Sequence, residues 1–84
     1  MNLDDAVITR HALARMAKRD IRPEQVRAVL ARPEAVQAVV PGRVVVQGLE
    51  GGLLLRIFVH VDRQPPAVVT VYRTSKVDKY RRMP

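Results

Sequence analysis

At 84 residues and 48% hydrophobic composition, the chain can bury one small core and is too apolar for a disordered tail. Its formal charge of +7, from 15 Lys and Arg against 8 Asp and Glu, points to an anionic partner. Cysteine is absent, which excludes disulfides and thiolate metal sites. The aromatics are only Phe58, Tyr72 and Tyr80, too few for a broad base-stacking platform.

Residues 1–7 read as an N-terminal arm. Asp4 and Asp5 stand where a secretory leader would be basic, and no apolar run is long enough to span a bilayer, so a cytoplasmic protein with no membrane partner is expected. Residues 8–32 read as a helical pair. Thr9 is the N-cap of the first helix, with Ile8, Ala12, Leu13 and Met16 as its buried stripe. His11, Arg15, Lys18 and Arg19 form a basic ridge along the same helix, at spacings that stack side chains turn upon turn. Asp20-Ile21-Arg22 is the joint. Pro23 suits a first helical turn, Glu24 complements the dipole, Val26, Val29 and Leu30 point inward, and the helix stops before Pro33.

Residues 34–74 change to an extended pattern. Strands are expected over Val36–Val40, Arg43–Gln47, Leu53–Asp62 and Ala67–Thr74, separated by the turn signals Pro41-Gly42, Glu50-Gly51-Gly52 and Arg63-Gln64-Pro65-Pro66. Short connections imply an antiparallel meander. The fold expected is α+β: a helical hairpin on one face of a four-stranded antiparallel sheet, in two layers, as one domain over 1–84. Residues 75–84 form a basic tail.

Seven basic residues lie between Ile8 and Arg32 and five between Arg73 and Pro84. Arg43, Arg56 and Arg63 in between are matched by Glu34, Glu50 and Asp62. Phosphate contacts are therefore expected from Arg15, Lys18, Arg19, Arg43, Arg73, Lys76, Lys79, Arg81 and Arg82. Alternation along the strands sends Leu53, Leu55, Ile57, Val59 and Val61, with Val44, Val46, Val69 and Val71, toward the helices. The opposite face then gathers Arg43, Gln47, Arg56, His60, Thr70 and Tyr72, with Val45, Phe58 and Val68 among them.

Two guanidiniums, an imidazole and a phenol on one face can cleave a phosphodiester without metal. The ribose 2′-hydroxyl attacks, His60 and Tyr72 move protons, and Arg56 holds the transition-state charge. Arg56 and His60 share a strand and are expected to be bridged by one phosphodiester with its ribose. The same alternation is what any half-exposed antiparallel sheet shows. On that reading Arg56 and Arg43 pair with Asp62 or Glu50, and Tyr72 covers an apolar patch with Phe58. The two histidines and scattered carboxylates offer no metal-binding spacing, so no metal or other cofactor is expected.

Thr9-Arg10-His11-Ala12, Arg15-Met16, Arg19-Asp20-Ile21, Val26 and Leu30 before Pro33, Gly42-Arg43, the Leu55 strand, and Val69-Thr70-Val71-Tyr72 followed by Lys76 resemble a widespread family of small uncharacterised bacterial domains. The resemblance covers roughly Val7 to Tyr80. That family is similar to the RelE/ParE-type toxin superfamily, whose fold is a helical hairpin on an antiparallel sheet. The resemblance implies a toxin-like, metal-independent endoribonuclease of a toxin–antitoxin module, with RNA, an acidic antitoxin and the ribosome as partners. The alternative is a non-catalytic member that binds nucleic acid or a protein, such as a gyrase-type inhibitor or a regulator. It further implies that His11 and Arg15 act in binding or catalysis, and that Arg56 with Tyr72 or Tyr80 occupies the positions of the superfamily's basic and tyrosine residues.

Overall fold

Thr9 starts the first helix and ties it to the sheet at once. Its backbone is extended (φ −67°, ψ 159°) and its Oγ1 accepts from the Ala12 N–H at 3.1 Å, the geometry of an N-cap. The same hydroxyl donates to the Val68 carbonyl at 2.8 Å. The computed structural model describes residues 3–77 and residue 79. It contains β1 (Val7–Ile8), α1 (Arg10–Lys18), α2 (Pro23–Ala31), β2 (Ala35–Val40), β3 (Arg43–Glu50), β4 (Leu53–His60) and β5 (Ala67–Thr74).

The helices stop and start where the chemistry requires. At the end of α1 the Ile21 N–H reaches the Met16 carbonyl at 2.9 Å and the Asp20 N–H reaches that of Ala17 at 3.4 Å. Asp20 sits between them with φ 56°. This is a Schellman motif with aspartate in the left-handed position that glycine usually takes, and Ile21 packs into the core with Met16. Pro23 opens α2, and the Arg22 N–H donates to Gln25 Oε1 at 2.8 Å. Val26, Val29 and Leu30 are buried as the pattern predicts. Gly48 lies beneath Val29, where a Cβ would come within 3.2 Å of a Val29 methyl, so α2 settles close on β3.

The sheet has five strands in the order β1-β5-β4-β3-β2, not the expected four. The added strand comes from the supposed N-terminal arm. Val7 and Ile8 pair in parallel with Ala67 and Val68, so Ile8 belongs to the sheet rather than to the helix. Leu3 and Ala6, ahead of it, are in the core. The other pairings are antiparallel. β3 continues to Glu50, beyond the expected end at Gln47, and β4 stops at His60. No helix among the described residues is long and apolar enough to cross a membrane.

Both helices lie on one face. Met16, Ile21, Val26, Val29 and Leu30 share a core with Val44, Val46, Leu55, Ile57 and Val59. The strand parity holds for β3 and β4 and breaks in β5. Phe58 faces Thr70 but Val59 faces Val68, so an extra residue, Val69, bulges out of register. Val68 and Val71 therefore both enter the core and Val69 does not, against the expectation for 68 and 69. Leu13 is 44% exposed because the stripe that meets β5 is Ala12 and Met16, and Leu13 lies one helical step round from it.

Thr9→Ala removes two hydrogen bonds at once and is expected to lower unfolding free energy by about 1–2 kcal/mol in urea titration, with Thr9→Ser retaining most of it. Asp20→Val forces a β-branched residue into the left-handed region and is expected to cost at least about 1–2 kcal/mol in the same measurement, whereas Asp20→Gly costs nothing.

Candidate functional site

The Glu50-Gly51-Gly52-Leu53 turn sets the register of β3 on β4, and that register builds the face opposite the helices in rungs. Arg43 stands opposite His60, Val45 opposite Phe58, Gln47 opposite Arg56 and Leu49 opposite Leu54. From β5, Thr70 joins Phe58, Tyr72 joins Arg56 and Thr74 joins Leu54. This face is not bare: Val45, Gln47, Leu54 and Arg56 are all buried.

Arg56 is the centre of one polar cluster, only 8% exposed. Its Nε donates to Gln47 Oε1 at 3.2 Å and its Nη1 donates to the Tyr72 hydroxyl oxygen at 2.5 Å. Phe58 and Tyr72 stack with centroids 6.0 Å apart and planes 21° from parallel. The Arg56 guanidinium carbon lies 5.7 Å from each ring centroid. A buried cation is tolerable because acceptors and ring faces replace water around it. Tyr72 thus covers an apolar patch with Phe58 and also holds the guanidinium.

Arg43 and His60 make the second cluster, with Arg43 Nη2 2.6 Å from His60 Nε2. A guanidinium has only donors, so Nε2 is the acceptor and its lone pair is taken. Among the described residues, the Arg43 Nε is buried without a hydrogen-bond partner. His60 is four residues from Arg56, about 13 Å along an extended strand, with Phe58 between. The expectation that one phosphodiester bridges Arg56 and His60 is therefore corrected. The structure brings Arg56 to Tyr72 and Arg43 to His60, as two neighbouring pairs.

His11 lies on α1, in the helical layer, and so on the other side of the sheet from Tyr72 and Arg56. His11, Arg15 and Lys18 are exposed. Arg19 is occupied: its Nη1 donates to the Val71 carbonyl at 2.7 Å, and its own carbonyl accepts from Arg73 Nη2 at 2.9 Å. This clasp joins the basic end of α1 to the basic end of β5, so two clusters distant in sequence become one corner. Arg73, Lys76 and Lys79 are exposed, while Tyr80, Arg81 and Arg82 lie outside the described residues. No three His, Asp or Glu side chains gather as a metal site would need, among the described residues.

Two features escaped the sequence. Alternation puts Gln47 on this face without marking it as the Arg56 acceptor, and charge alone marks Arg19 as a phosphate contact rather than a clasp. The first was accessible, since a two-residue Gly51-Gly52 turn fixes Gln47 opposite Arg56. The second depends on packing of α1 against β5 and has no local signal.

No curated protein matches the chain. No solved structure matches it either. A family profile described as "Domain of unknown function (DUF4258)" matches residues 8–73, from Ile8 in β1 through the Arg19 clasp and both polar pairs to Arg73 in β5. With most of its 84 residues so matched, the chain belongs to the DUF4258 family.

Proposed function

We propose that the domain binds RNA and cleaves it without metal, as a toxin-like endoribonuclease of the RelE type. The observation that carries this reading is the Arg56–Tyr72 contact of 2.5 Å, which sets a permanent cation against a proton-bearing hydroxyl. In the reaction the ribose 2′-oxygen bonds to the adjacent phosphorus and the bond from phosphorus to the 5′-oxygen breaks. The products are a 2′,3′-cyclic phosphate and a 5′-hydroxyl. Tyr72 gives its proton to the departing 5′-oxygen and recovers one from water, water takes the 2′-hydroxyl proton, and Arg56 stabilises the phosphorane oxygens. Arg43 on β3 and His60 on β4 would hold a neighbouring part of the RNA. The basic corner of Arg15, Lys18, Arg73 and Lys76 supplies the wider electrostatic attraction. An acidic antitoxin and the ribosome are the partners this function implies.

A second reading is favoured by the burial of Arg56 and Gln47 and by the engagement of His60 Nε2. On it the polar face is structural, and the protein acts by binding nucleic acid or an acidic protein through its basic corner.

RNA cleavage in excess chelator separates the two. Tyr72→Phe and Arg56→Lys are each expected to slow cleavage about 100-fold or more, with His60→Ala and His11→Ala losing less than about tenfold, once circular dichroism shows each variant folded. A folded parent that cleaves nothing, alone or with ribosomes, defeats the enzyme reading. Binding to a generic single strand across a salt series is expected to weaken with each released counterion. Lys18→Ala should flatten the log–log slope by about 0.7, one phosphate contact. A flat response in the parent would remove the nucleic-acid reading itself.

A further inference from the structure

β2 is an edge strand that carries no charged residue to blunt it. Val36, Val39 and Val40 are 46%, 48% and 53% exposed, and Ala35 and Ala38 are exposed too. Natural edges are commonly blunted by a lysine or another inward charge. β2 has neither: between Arg32 and Arg43 the only charged residue is Glu34, ahead of the strand. Its sole irregularity is a register shift against β3 between Ala38 and Val40. A mostly apolar groove of about 500 Å³ adjoins it, lined by Val39, Val40, Pro41, Val44 and Val61 among others, with Arg43 of β3 as its one charged residue. Val44 belongs to the core under the helices and Val61 packs against it, so the groove lies beside the helical layer where neither helix closes it.

We propose that β2 pairs with the β2 of a second copy of this chain, antiparallel across a two-fold axis, to make one continuous ten-stranded sheet. Charge selects this occupant. A partner drawn by the +7 surface would be acidic, and β2 offers it no cation. What fits an uncharged apolar edge is an uncharged apolar strand, and β2 is itself one. Two copies meeting anywhere on the basic corner repel each other, whereas meeting here they bring no like charges together within the strands. On the other side of the sheet β1 covers only Ala67 and Val68 of β5, and Arg19 takes the Val71 carbonyl beyond it; a two-fold pairing uses each β2 edge once, so the assembly closes at two. The dimer does not depend on RNA cleavage.

Sedimentation velocity over a concentration series tests it. The parent is expected to dissociate reversibly between dimer and monomer. Val36→Lys and Val39→Lys, both at exposed positions, are expected to weaken the dimer at least 100-fold while circular dichroism stays unchanged. Leu13→Lys, an equally exposed apolar site on α1, should leave it intact. A parent that is monomeric throughout, a dimer untouched by both β2 variants, or assemblies larger than two would each overturn the proposal.

Discussion

The clamp between α1 and β5 is the constraint on which the rest of the molecule depends. The Val68 carbonyl accepts from both the N–H and the hydroxyl of Thr9, and the Val71 carbonyl accepts from Arg19. One helix is therefore tied at both ends to one strand. The bulge at Val69 makes the arrangement compatible with the core, because it turns Val68 and Val71 to the same side. An unbroken strand would have sent residues three apart to opposite faces. β5 is in turn fixed by β4 along its whole length, so the helix position, the sheet register and the site of Tyr72 are set together.

The same clamp explains the division of labour among the arginines. Arg19 and Arg73 hold α1 to β5, and Arg27 donates to the carbonyls of Asp4 and Ala6. Arg56 is sunk in a polar and aromatic nest. A good part of the positive charge is thus used by the fold. Arg10, Arg15 and Lys18 on α1 and Lys76 beyond β5 are exposed.

How far the sequence foretold this varies with the range of the interaction. Thr9, Pro23, Gly42 and Gly51-Gly52 mark local events, a cap, a helix start and two turns, and all are where the residues place them. The alternation of β3 and β4 was readable because a tight turn links them and neither strand is interrupted. β1 was not, since two residues carry no period and their pairing with Ala67 and Val68 is made across nearly the whole chain. The β5 bulge was also hidden: Val68, Val69 and Val71 are chemically alike, and only packing selects which enters the core. The candidate residues fell on the expected face, but the distance between Arg56 and His60 and the engagement of the latter by Arg43 emerged only from the assembled sheet.

The pairing of Val7 with Ala67 has a consequence for how the molecule comes together. β1 and α1 are synthesised ahead of β5, the strand that holds them. The β2–β3–β4 hairpins can form through near neighbours, while the amino-terminal end must wait for a closure spanning most of the chain, with its entropic cost. α2 can cover β3 before then, but Ala12 and Met16 on α1 must wait for β5. The vulnerable interval runs from the emergence of α1 to that of β5, and chaperone dependence should follow the time taken to complete β5 rather than the strength of either helix.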